Sequence, residues 1–86
     1  MANQIERDLQ NVADAATRND YNALRVNVGA FARHAFFSTG VQIDRNDAFK
    51  YALRSVRAGR DVYVALVYRY DLTRIYNHQR QYSIRY

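Results

Sequence analysis

The chain has 86 residues, no cysteine and a formal net charge of +5. That length makes one domain, which buries only roughly 60–65% of the surface its unfolded form exposes and so gains from assembly. Without cysteine there is no disulfide framework and no thiolate metal site, and 49% hydrophobic residues exclude a disordered tail.

The charge is uneven along the chain. Residues 1–20 carry four acids against two bases, net −2, whereas residues 62–86 carry four arginines against Asp71, net +3. Twelve of the thirteen bases are arginine, the side chain that grips phosphate and carboxylate with two parallel bonds and stacks on aromatic rings. The start of the chain is polar and unlike a secretory signal. No apolar run approaches the ~20 residues of a membrane span. The expectation is a soluble cytoplasmic chain, or one inside a particle assembled there, with no membrane partner.

Asn3 is placed to cap a first helix over 3–17. Ile5, Leu9, Val12 and Ala16 fall on one stripe of it, and Arg7, Asn11, Asp14 and Arg18 on another. Asp14 and Arg18 are spaced for an i,i+4 pair. Asn19-Asp20 stop this helix, and Asp20 is placed to cap the next. The second helix runs over 20–38, with a stripe of Tyr21, Leu24, Val28, Phe31, Ala32 and Ala35. Val26, Ala30 and Phe37 lie elsewhere, so it is apolar on most sides and belongs among several neighbours or at an interface. Gly29 weakens its middle by ~1 kcal/mol against alanine and suggests a close helix crossing. Gly40 stops it.

Asp44 opens a third helix over 44–58, closed by Gly59. Phe49, Ala52, Leu53 and Val56 are assigned to its core face, and Lys50, Arg54 and Arg57 to a basic face. Asp61 then caps a fourth helix over 61–80. The stretch 61–86 holds six of the eight tyrosines and no glycine or proline. Ala65, Tyr68, Leu72, Ile75, Gln79, Tyr82 and Tyr86 continue a 3-4 seam through it. A Val/Tyr-rich run over 62–70 also suits a buried strand; the longer seam outweighs it. Gln4-Ile5-Glu6-Arg7 and Gln42-Ile43-Asp44-Arg45 give a weak internal echo, as of two helical hairpins, too short to argue duplication.

No catalytic or metal-ligating constellation emerges. Ser38, Ser55, Ser83, His34 and His78 have no nucleophile–base or zinc spacing. Asp44 and Asp47 read best as a cap and a first-turn acid. His34 reads as a packed or partly exposed side chain rather than a ligand. A DNA-reading helix-turn-helix around Gly40 fails at Phe36 and at Asn46, where a small and an apolar residue are wanted. The short, lysine-poor, Arg/Tyr-rich composition has the style of a small viral or phage product, an impression that carries no residue roles.

The fold expected is all-α: a compact four-helix arrangement with a long C-terminal helix, the alternative being three helices followed by a β-hairpin. The function expected is that of a non-enzymatic, self-associating structural protein binding nucleic acid through its basic C-terminal half. The nucleic-acid residues are Lys50, Arg54, Arg57, Arg60, Arg69 and Arg74, since arginine neutralises phosphate and interleaved tyrosine stacks on bases. Self-association falls to Leu72, Ile75, Arg80, Tyr82, Arg85 and Tyr86. No cofactor or metal is expected. The alternative is a protein-interaction module or inhibitor, because Tyr and Arg also dominate protein interfaces.

Overall fold

A computed structural model describes residues 4–72 as four helices, with no strand among those residues. They are α1 (Gln4–Thr17), α2 (Tyr21–Thr39), α3 (Arg45–Arg57) and α4 (Val62–Arg69). Each of the last three starts on an aspartate whose carboxylate accepts the backbone N–H three residues on. Asp20 takes Ala23 at 3.1 Å, Asp44 takes Asp47 at 2.9 Å, and Asp61 takes Val64 at 3.2 Å. Each cap satisfies one otherwise orphaned donor and contributes about 1 kcal/mol.

The stops are equally explicit. At the end of α1, Asn19 turns left-handed (φ 58°), and the Asp20 N–H reaches back to the Ala15 carbonyl at 2.9 Å. Gly59 (φ 71°) ends α3 the same way, with the Arg60 N–H on the Ser55 carbonyl at 2.8 Å. These are Schellman closures. They turn the chain sharply, so each of these two stops is followed at once by the next aspartate cap. Gly40 (φ 76°) ends α2 through a single bond to the Phe36 carbonyl at 2.8 Å.

The α-helical fourth element excludes the β-hairpin alternative, but it is shorter than the 61–80 helix expected. It stops at Arg69. Asp71 adopts φ 52°, its N–H bonds the Tyr68 carbonyl at 3.3 Å, and the Leu72 N–H bonds the Val67 carbonyl at 2.9 Å. That is a third Schellman closure, here with an aspartate where glycine is usual. The hydrophobic pair that goes with it is Val67 and Leu72, both buried. The seam also fails locally, because Tyr68 is 74% exposed. The continuation of the seam from Ile75 onward lies outside the described residues.

α1 and α3 each touch all three other helices, while the backbones of α2 and α4 stay apart on either side of them. The core between them holds Ile5, Leu9 and Val12 of α1, Leu24, Val28 and Phe31 of α2, Ala48 and Ala52 of α3, and Val62 and Leu66 of α4. The α1 stripe is as expected. The α3 face is rotated by about a quarter-turn from expectation. Ala48, Ala52 and Ser55 are the buried residues, while Phe49, Leu53 and Val56 are half-buried on the rim. Small side chains let α3 sit close to its neighbours, and the larger ones cover the join. No described helix is long and apolar enough to cross a membrane.

Candidate nucleic-acid interface

The rotation of α3 decides which of its side chains meet solvent. Lys50, Arg54 and Arg57 are all exposed. Their i, i+4, i+7 spacing lines them along about 10 Å of one helix face. Arg60, in the turn that follows, is exposed as well. The acid within α3 is Asp47, one turn before Lys50, and its charge is already answered.

Asp47 receives two bonds from the Arg69 guanidinium: Nε to Oδ2 at 2.8 Å and Nη2 to Oδ1 at 2.6 Å. The Tyr70 hydroxyl donates to the same Oδ2. The Arg69 bonds are the main reason the Asp47 carboxyl is held down at about 2, with Tyr70 adding to it and Arg54 lowering it further by its charge. Tyr70 is pushed above its ordinary range, first by burial and then by the adjacent carboxylate. The Arg69 guanidinium also lies 4.4 Å over the Tyr51 ring. This side-chain clamp ties α3 to the end of α4. It corrects one expectation: Arg69 commits its fork to Asp47 rather than to phosphate. Tyr70 is half-buried and edge-on to Phe31 at 6.4 Å. Asp47, read from sequence as a first-turn acid, is the clamp's centre. The spacing of 22 residues to Arg69 leaves no local signal for that.

Leu72 is a second correction. It is 2% exposed in the chain's own core and so is not available to an assembly surface. Arg74, Ile75, Arg80, Tyr82, Arg85 and Tyr86 lie outside the described residues.

Three cations that sequence reasoning passed over stand along the α2–α3 join. Arg25 of α2 stacks on Phe49 at 4.7 Å, and Phe49 meets Tyr21 edge-on at 6.4 Å. Arg45 reaches from α3 across α2 at Gly29, where an added Cβ would stand 3.9 Å from its Nη1. The glycine therefore marks a side chain crossing at ordinary contact distance, not a tight backbone approach. Arg33, one turn further along α2, is exposed. A periodic signal for this flank is present in the sequence, since Arg25, Gly29 and Arg33 recur every four residues along one side of α2.

Another titratable contact lies across the α1–α2 join. Asp8, 4% exposed, sets Oδ2 2.6 Å from His34 Nδ1, and Gln4 donates to its Oδ1 at 3.3 Å. The pair satisfies a buried carboxylate, and His34 is partly exposed with a definite partner. The expected Asp14–Arg18 pair is replaced by Arg18 Nε donating to the Asp14 carbonyl at 3.3 Å, while Gln10 donates to the Asp14 carboxylate at 3.2 Å. Among the described residues no group of three or more His, Cys, Asp or Glu gathers as a metal site. Comparison with protein-family models, with curated proteins and with solved structures gives no match.

Proposed function

We propose that this chain is a small, non-enzymatic protein that binds nucleic acid through the solvent face of α3 and the adjoining flank of α2. One observation carries the reading. Lys50, Arg54 and Arg57 stand exposed in a row on one helix face, while Asp47, the acid of that helix, is neutralised by Arg69. A row of cations with its local acid cancelled holds a positive potential that attracts a phosphate backbone and does not read sequence. The test is nucleic-acid affinity against salt for the wild type and for a chain with Lys50, Arg54 and Arg57 all changed to Gln. The fold should survive, because none of the three is in the core. Affinity should drop and the log–log salt slope should become shallower, by roughly 0.7–0.9 for each phosphate no longer neutralised. An unchanged affinity and slope would sink the proposal.

Self-association is the second part of the reading. It is supported by Val64 and Tyr68, which stand one turn apart on α4 and are 47% and 74% exposed. Two large hydrophobic side chains exposed on a short helix suit an interface with another copy. Light scattering at concentrations of about tens of micromolar should report more than one chain, and less for a chain carrying Val64→Ser and Tyr68→Ser. A monomeric wild type removes this part alone.

A further inference from the structure

The α2–α3 turn encloses an open groove of about 490 Å³ that the phosphate-binding row does not explain. Phe36, Phe37, Arg33, Gln42 and Arg45, all exposed, line it together with the buried Ile43. Phe37 is 77% exposed and Phe36 45%. Their ring centroids are 6.0 Å apart, with the planes 64° to one another. Two adjacent phenylalanines in water are unfavourable for a monomer that folds without using them, and such patches mark binding surfaces. The acid of the groove is Asp44, whose carboxylate is engaged as the α3 cap.

Resting on the nucleic-acid reading above, we infer that the ligand is single-stranded, its phosphates held by Arg33 and Arg45 and its unpaired bases stacked on Phe36 and Phe37. Charge and continuity argue for this occupant. Both flexible cations lining the groove are arginines. Arg45 lies against α2 at Gly29 and Arg25 lies over Phe49 of α3, so arginines continue from the groove along the α2–α3 join. An apolar groove for a protein segment needs no such track. Rings alternating with arginines along a groove form the pattern that follows a single strand, since every base has a face to stack and every phosphate a charge to neutralise. A duplex buries its base faces in its own stack, so exposed phenylalanines give it nothing to hold. The groove thereby adds a preference that the α3 cations lack. Gln42, which also lines the groove, has a donor and an acceptor for a base edge.

The experiment uses the full chain and fluorescence anisotropy with two probes: a labelled short oligothymidylate and a labelled mixed-sequence duplex of the same length. Phe36→Leu and Phe37→Leu, singly and together, keep much of the apolar volume and remove the ring. Circular dichroism checks that each variant folds, and Phe37→Leu, the more exposed site, carries the test alone if the double variant does not. The expected result is that the wild type prefers the single strand. The leucine variants should weaken single-strand binding by about tenfold while leaving duplex binding within about twofold. Equal wild-type affinity for both probes overturns the inference. So do leucine variants that bind the single strand normally, which would assign the rings to a protein interface, and variants that lose both probes alike. The triple Gln variant on α3 separates this from the parent reading. If it weakens both probes while the leucine variants change nothing, only the stacking is wrong. If the wild type binds neither probe at low salt, both readings fall together.

Discussion

Leu72→Ala is the sharpest test of the architecture, because sequence and structure give this residue different work. On the 3-4 seam it belongs to a surface between copies. In the fold it is 2% exposed, packed into the chain's own core, and its N–H closes the turn that ends α4. Truncating a fully buried leucine removes the transfer free energy of its side chain and leaves a cavity, together about 2–5 kcal/mol. A domain of this size has a total stability of about 4–13 kcal/mol at typical per-residue values, so the variant should lose a large fraction of it. Urea denaturation followed by circular dichroism, with the slope held equal to wild type, measures the difference. It should be run at two protein concentrations, because destabilisation at an interface depends on concentration and destabilisation of the core does not. A cost below about 1 kcal/mol, or a normal midpoint with reduced mass in solution, would refute the placement of Leu72 and return it to the seam.

Three further outcomes follow from side chains whose surroundings are explicit. The Asp47 carboxyl is held at about 2 against an ordinary 3.8, so its contribution is complete above that ordinary value and is lost as pH falls from about 4 toward 2. Asp47→Asn should flatten that part of the stability–pH curve and cost on the order of 1 kcal/mol near neutrality, the full shift being discounted because the carboxylate is partly exposed; a wild-type and variant difference that does not change over pH 2–5 would contradict it. Tyr70 is raised, so its contribution is present below its ordinary value near 10 and is lost as pH rises through the folded value. Gly29→Ala should raise stability by about 0.5–1 kcal/mol, because the new Cβ meets only the Arg45 guanidinium at van der Waals distance; a lower thermal midpoint would show that Arg45 cannot accommodate it.

What is legible in the sequence is what short-range chemistry dictates. Asp20, Asp44 and Asp61 announce three helix starts, and Gly40 and Gly59 two stops, because caps and left-handed turns require those residue types locally. The four-helix class and the α1 core stripe follow from them. What is not legible depends on neighbours distant in sequence. The seam from Ala65 to Tyr86 has the right spacing for one helix, yet nothing in the spacing shows that Asp71 turns left-handed. Aspartate carries a steric penalty there that glycine does not. It is overridden because Tyr70 reaches Asp47 and Leu72 reaches the core, each a tertiary gain. The α3 face departs from expectation for a related reason, since periodicity points to the large apolar residues as the buried ones. Close packing favours Ala48 and Ser55 beside the expected Ala52, and leaves Phe49 on the rim, where Arg25 stacks on it.

The clamp and the basic surface are therefore one arrangement viewed from two sides. If Asp47 pointed outward with no partner, it would sit within one to two turns of Lys50 and Arg54 and offset part of their charge. By taking Arg69 and Tyr70, it cancels one acid with one base and fixes the end of α4 against α3. The bases that remain on the outer faces of α2 and α3 are Arg25, Arg33, Arg45, Lys50, Arg54 and Arg57, all exposed. The same substitution thus has opposite effects on the two properties. Asp47→Asn weakens the fold and adds one positive charge beside the row, with the Arg69 fork released to bind phosphate. Its affinity for nucleic acid should rise, with a steeper salt dependence, while its stability falls. A variant in which affinity falls along with stability would show that the clamp holds the binding surface in shape, and that its geometry matters more than the charge it removes.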